Sequence, residues 1–243
     1  MPQLTFEPDG HIYRLDGIVV PSVTQVLERV GVLLDPESQQ WRGILDYSFL
    51  DPVIREHALF RGRWIHDLAA LYMKHGNQLA PALRDRLTAE HPDYMEYFAA
   101  VERFLAESGF RPLRVECPVF SVEYGFAGTP DAVGQLNSGA GGCAIIDWKT
   151  NEAPDYARFQ MAAYEMAIAS SWPDYDYRDQ PHLRIAVELN RDGSYRMTRP
   201  YRNLTHDRTV FLAALTIYKE FALAEDGCRP ERASESASRA QRP

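Results

Sequence analysis

Cysteine is scarce in this chain: the three present, Cys117, Cys143 and Cys228, are odd in number and far apart. That speaks against a disulfide framework and against a CxxC-type metal site, and leaves ordinary thiols. Long apolar runs are missing as well. None approaches the ~18 residues of a membrane span, and the first residues lack the basic-then-apolar order of a signal peptide. The expectation is a soluble, cytoplasmic protein with no membrane partner. Positive charge is also in short supply. A formal charge of −8 excludes a protein that coats nucleic acid by bulk electrostatics. Contact with nucleic acid would have to be local, with a carboxylate-held divalent cation supplying the missing positive charge. A phosphate-binding loop is absent too: the glycine-rich segment 137–142 lacks the Lys-Ser/Thr ending and following helix of that motif, so it reads as a turn.

What is there is enough for a core. With 243 residues, 45% hydrophobic and 12% aromatic, one domain is expected over residues 1–228, followed by a polar, Ser/Arg-rich, disordered tail over 229–243. Residues 3–20 read as short strands around two Asp-Gly turns, Asp9-Gly10 and Asp16-Gly17. Ser22, with Gln25 three residues on, forms a capping-box signature for a helix whose apolar positions are Val23, Val26, Leu27 and Val30. Ser22 or Thr24 could instead meet a phosphate. Apolar spacing through Ile54, Ala58, Ile65, Leu68, Ala69 and Tyr72 predicts a long helix over 51–75, and a second helix is expected over 92–107. Strands are expected at 113–120, 126–136 and 143–150, then a helix over 155–170, a surface loop, a hairpin at 183–189 and 194–199, and a last helix over 204–224. The predicted class is α/β or α+β with a mixed sheet flanked by helices. Residues 1–110 would form an N-terminal hairpin and helical part, and residues 111–228 the sheet core.

The chemistry concentrates in Gly128-Thr129-Pro130-Asp131 and Ile145-Ile146-Asp147-Trp148-Lys149-Thr150. A strand's period of two puts Asp147 and Lys149 on one face and Ile146 and Trp148 on the other. With Asp131 on the neighbouring strand, two carboxylates converge. They repel unless a cation sits between them, and oxygen ligands suit Mg²⁺ or Mn²⁺. A lysine beside that cation can orient a water or neutralise charge on a phosphoryl group, so the residue types suit phosphodiester hydrolysis. Gln160 and Tyr164, at i and i+4 on one helix, point the same way and could hold the phosphate or the water. Glu116 alternates against Val115 and Cys117 and faces away from their side; Glu123 is the alternative acid. Arg61 and Arg63 flank Gly62 and are candidates for phosphate contacts. A facial-triad iron site would need His-x-Asp, whereas His66-Asp67 has no spacer.

These motifs together resemble the PD-(D/E)XK nucleases, which carry an acidic residue, a gap, and Asp/Glu-x-Lys. The RecB-like branch adds a His on an upstream helix after a Gly, an upstream Glu, Gly-x-x-Asp, Asp-x-Lys-Thr, and a Gln four residues before a Tyr. Here they occur in order as Gly62 and His66, Glu116, Gly128 to Asp131, Asp147 to Thr150, and Gln160 with Tyr164. Within that branch the chain is similar to the mitochondrial genome maintenance exonuclease family and its phage relatives, on the residues Pro21 to Thr24, Arg61 to His66, Ile146 to Thr150 and Gln160 to Tyr164.

The resemblance implies a DNA exonuclease that uses Mg²⁺ or Mn²⁺, prefers single-stranded ends, and works in replication, repair or recombination, with proteins of those processes as partners. It implies His66, Asp131 and Asp147 as metal ligands. Lys149, Asp147, Asp131, Glu116, Gln160 and Tyr164 would form the catalytic set, and Ser22, Thr24, Arg61 and Arg63 would contact DNA. It also implies a helical arch from residues ~30–60, with Tyr47, Phe49, Phe60 and Trp64 as stacking faces. The four-cysteine iron–sulfur cluster of some RecB-like nucleases is not expected here. A structure-selective endonuclease of the same superfamily, or a non-catalytic DNA- or partner-binding module, remain the alternatives.

Overall fold

The computed structural model describes residues 2–34, 41–43, 51–136, 142–172 and 183–222. Its N-terminal strands β1 (Leu4–Glu7), β2 (Ile12–Leu15) and β3 (Ile18–Val20) form an antiparallel three-stranded sheet, turning at the positions where Gly10 and Gly17 take positive φ. Helix α1 (Val23–Arg29) starts at the predicted capping box. The Gln25 amide donates to Ser22 Oγ at 3.1 Å, and the Ser22 amide donates to Gln25 Oε1 at 2.9 Å. Strands β4 (Gly31–Leu34) and β5 (Trp41–Gly43) form a two-stranded ladder. The predicted arch falls on this ladder, the first turns of the next helix, and residues outside the described ones, Tyr47 and Phe49 among them.

Helix α2 (Pro52–Lys74) begins at Asp51, whose Oδ1 accepts from the Val53 amide at 2.9 Å, with proline at the first helical position where no N–H is needed. Only its second half is buried, through Ile65, Leu68, Ala69, Ala70 and Met73. The predicted apolar stripe does not extend inward at its start, where Ile54 is exposed and Ala58 half-buried. Helix α3 (Pro81–Glu90) has no counterpart in the sequence expectations: no residue of it is fully buried, and its apolar stripe is only the half-buried pair Leu83 and Leu87. Helix α4 (Pro92–Glu107) is amphipathic and turns Tyr94, Tyr97, Phe98, Val101, Phe104 and Leu105 inward.

Both long strands expected in the middle of the chain are broken. The first divides into β6 (Arg111–Val115) and β7 (Val119–Ser121), because Glu116 takes a left-handed φ of 48°. The second divides into β8 (Phe126–Gly128) and β9 (Ala132–Leu136) at Thr129-Pro130-Asp131, where proline has no N–H for a ladder. β7 and β8 pair with each other, away from the main sheet. That sheet has the order β12-β11-β10-β9-β6, with β10 (Gly142–Thr150), β11 (Leu183–Leu189) and β12 (Tyr195–Met197). β10 and β11 run parallel, bridged by α5 (Ala157–Ser171), and the other neighbours are antiparallel. The predicted hairpin turn carries Gly193 at φ 74°.

The sheet has one apolar cluster on each face. Ile146 and Trp148 of β10 pack with α2 and α4, while Ile145 packs with α1, α5 and α6 (Leu204–Ile217), which continues as a π-helical turn over Tyr218–Ala222. This three-layer mixed α/β arrangement agrees with the class expected from sequence. α5 lies between sheet and helices with eleven of its residues buried. A buried ion network clamps it. Arg184 of β11 donates to Asp207 Oδ2 of α6 at 2.9 Å and to the Arg158 carbonyl of α5 at 3.0 Å, with Glu165 at 3.7 Å.

Candidate active site

The alternation of β10 sends Asp147 and Lys149 to the α5 face, as expected. Asp147 is 2% exposed, and Lys149 Nζ lies 2.7 Å from its Oδ2. The register pairs Ile146 with Ala132, so Asp131, just before β9, comes level with Asp147. Its Oδ2 accepts the Trp148 backbone N–H at 2.7 Å, which fixes the carboxylate against β10.

His66 reaches this point from α2. Its Nδ1 is 3.1 Å from Asp131 Oδ1 and its Nε2 is 3.0 Å from the Trp148 carbonyl oxygen. Both partners are acceptors, so an imidazolium donating from both nitrogens satisfies them. Burial favours the neutral ring, but the Asp131 carboxylate outweighs it and raises the His66 pKa to about 9. Asp131 moves the other way. Burial opposes its ionisation, yet His66 and Lys149 bring its pKa below the ordinary carboxylate value. The left-handed residue that ends β6, Glu116, turns its side chain to the same place. Ligand atoms of His66, Glu116 and Asp131 all lie within 4.8 Å of one another. Burial, and then repulsion from Asp131, push the Glu116 carboxyl up to about 8. Burial also raises Asp147, with Asp131 adding to the shift and Lys149 opposing it.

The donor set fits a divalent cation. Two carboxylates and an imidazole crowd together, and in the absence of a cation the carboxyl of Glu116 is held toward its protonated form and the ring of His66 toward its charged one. Mixed oxygen and nitrogen donors of this kind suit a hard or borderline ion rather than a soft one. The structure groups His66, Glu116 and Asp131, where the sequence reading put Asp147 with His66 and Asp131 as ligands and Glu116 in the catalytic set. Asp147 adjoins the group, paired with Lys149. Glu123, the alternative to Glu116, is exposed on the turn between β7 and β8.

From Lys149 a chain of contacts runs along α5. Lys149 Nζ donates to Gln160 Oε1 at 3.2 Å, and Gln160 Nε2 donates to the Tyr164 hydroxyl at 3.0 Å. The i, i+4 spacing does place both side chains on one face, and both are buried there. Burial, followed by the Asp147 and Asp131 charges, raises Tyr164 well above the ordinary phenol value, so it stays a neutral hydroxyl. Gly128 makes room: a Cβ there would stand 2.7 Å from Tyr164 Cε1.

The remaining candidates lie farther out. Ser22 is 1% exposed and spent on its capping box, which corrects its assignment as a DNA contact; Thr24 is half-buried in the first turn of α1. Arg61 is half-buried with its guanidinium 5.0 Å over the Tyr97 ring, and Arg63 is exposed. Phe60 is 51% exposed, whereas Trp64 packs edge-on against His91 and Tyr94.

Three contributions went unread in the sequence. The Trp148 main chain binds both His66 and Asp131. Tyr156 lies under Lys149, ring centre 5.6 Å from Nζ. Tyr13 of β2, buried, meets Thr129 Oγ1 at 2.8 Å and so braces the loop that carries Asp131. Only the aromatic residue at the end of a helix-turn spacing, Tyr156 four residues before Gln160, left a signal that could have been followed.

A family model described as the PD-(D/E)XK nuclease superfamily matches residues 51–214, more than half of the chain and every candidate catalytic or metal-binding residue above. No curated protein gives a significant match to the chain.

Proposed function

The chain belongs to the PD-(D/E)XK nuclease superfamily, and from that premise we propose that it is a metal-dependent DNA exonuclease of RecB-like type. Its preferred substrate is a single-stranded end, and its setting is DNA replication, repair or recombination in the cytoplasm. The observation that carries the reading is the meeting of His66, Glu116 and Asp131 beside the Asp147–Lys149 pair. An upstream helical histidine and a Gln160–Tyr164 pair joined to the lysine support the RecB-like branch in particular. Among the described residues no helix is long and apolar enough to cross a membrane.

In this reading His66, Glu116 and Asp131 would hold the cation, with Asp147 nearby and paired to Lys149. A bound Mg²⁺ or Mn²⁺ supplies Lewis-acid polarisation of a phosphate oxygen and neutralises charge there. Imidazole among the donors favours Mn²⁺ over Mg²⁺, which prefers oxygen and retains its waters. Lys149 is held in place by the Asp147 carboxylate and the Gln160 carbonyl oxygen. Its ammonium orients the attacking water and stabilises negative charge gathering on the phosphoryl group. Tyr164, fixed through Gln160, keeps that side chain from rotating away. Residues 1–228 act as a single nuclease domain.

The test is a set of end-labelled linear single-stranded, linear double-stranded and circular single-stranded DNAs, incubated with Mn²⁺, Mg²⁺ or EDTA. Digestion of linear single strands with the circle untouched is the expected result. Cutting of the circle would identify an endonuclease, since a circle has no end, and no cleavage of any substrate with either cation would refute the assignment.

A further inference from the structure

Gly62 sits in the interior of α2, where glycine weakens a helix relative to alanine. The usual structural reasons for a glycine do not apply to it. Its φ is not in the left-handed region, so the backbone does not require it. A Cβ added there would meet no atom of the described residues within 4 Å, so packing does not require it either. The contrast is with Gly128 and Gly134, whose added Cβ atoms would fall 2.7 Å from Tyr164 Cε1 and 2.2 Å from the Arg111 carbonyl oxygen.

Its position supplies a different reason. Gly62 is four residues before His66 and therefore on the same helical face, one turn earlier. That is about 6 Å along the axis, within the length of a short stretch of DNA strand. Two arginines flank it in an otherwise acidic chain. Arg63 is exposed and its charge reaches His11 at the N-terminal sheet; Arg61 leans to the other side over Tyr97, whose hydroxyl donates to Asn151 just past the end of β10. The Arg61 Nε is buried with no hydrogen-bond partner among the described residues.

We infer that Gly62 is the saddle over which the sugar–phosphate backbone of the substrate strand crosses α2 to reach the metal group, with Arg61 and Arg63 as its cationic shoulders. This rests on the nuclease reading and adds the path to it. The missing side chain leaves the volume that the strand occupies.

Gly62→Ala and Gly62→Leu test it because helix propensity and passage pull in opposite directions. Three quantities are read on the full chain: thermal midpoint, Mn²⁺ affinity by calorimetry, and binding of a fluorescein-labelled single-stranded 20-mer in Ca²⁺ by anisotropy. Both variants should match or exceed the wild-type midpoint, with a rise of about 2–4 °C, and keep its Mn²⁺ affinity. The leucine variant should bind the 20-mer at least about 10-fold more weakly, with alanine in between. Wild-type DNA binding in the leucine variant overturns the inference, and so does a lowered midpoint in both variants, which would make Gly62 a packing residue. A wild-type protein that binds the 20-mer but never cuts it would refute the nuclease reading while the glycine series still decides the path. If wild type does not bind DNA at all, both fall.

Discussion

Metal binding should release protons, because the same side chains that would hold the cation hold protons in its absence. Without a cation, His66 donates to Asp131 and to the Trp148 carbonyl as an imidazolium with a pKa of about 9, and burial beside Asp131 holds Glu116 up to about 8. A cation needs the neutral ring and the ionised carboxylate, so at about pH 7 and below each binding event expels close to two protons. Affinity for Mn²⁺ should therefore climb almost 100-fold between about pH 6 and 7, less steeply above about 8, and level off above about 9. Stability of the metal-free protein follows the same groups. The favourable contribution of His66 is complete below its ordinary value of 6.5 and is lost as pH rises through about 9. Glu116, also raised, acts with the same sign, its contribution fading from 4.5 to about 8. Mn²⁺ should accordingly raise the thermal midpoint far more at alkaline than at acid pH. Calorimetry at pH 7 in two buffers of different ionisation enthalpy counts the protons directly. A count near two supports the argument, and a count near zero refutes it, because His66 would then be neutral and Glu116 ionised before the cation arrives.

The contacts around this centre yield further expectations. Gln160→Leu should lower kcat about 10- to 100-fold while Mn²⁺ affinity stays unchanged, since Gln160 touches Lys149 and Tyr164 and none of the three grouped ligands; steady-state kinetics beside calorimetry separates the two. Gly128→Ala would place a Cβ 2.7 Å from Tyr164 Cε1 and 3.1 Å from Val23 Cγ2. It should cost about 1–3 kcal/mol by overpacking, visible in thermal denaturation, and reduce kcat with it. Arg184→Met takes the buried guanidinium away from Asp207 and Glu165, leaving Arg158 at 3.8 Å from Asp207. It should lower stability by about 3–5 kcal/mol, moving the urea midpoint at constant m-value.

Much of the centre was legible because it follows from periodicity. The alternation of β10 separates Asp147 and Lys149 from Ile146 and Trp148, and one helical turn aligns Gln160 with Tyr164. The α1 capping box is equally local. What escaped depends on distant or unusual geometry. Glu116 is expected in the catalytic set, but its direct place beside His66 and Asp131 depends on a non-glycine residue that takes a left-handed φ and breaks the strand there, which alternation cannot foresee. Tyr13 and Thr129 meet across 116 residues of chain. The partners that hold His66 and Asp131 are main-chain atoms of Trp148, so no residue type announces them. α3 buries no side chain fully, and its inward face is only the half-buried pair Leu83 and Leu87, a faint pattern beside those of α2 and α4.

Cleavage of an end-labelled single strand by wild type, Asp131→Asn and Asp147→Asn, with and without Mn²⁺, tests the central claim most directly. The arrangement predicts cation-dependent cleavage by wild type and a loss of at least about 100-fold in each folded variant. Cleavage that survives EDTA, or that persists at the wild-type rate when Asp131 or Asp147 is replaced, would contradict it.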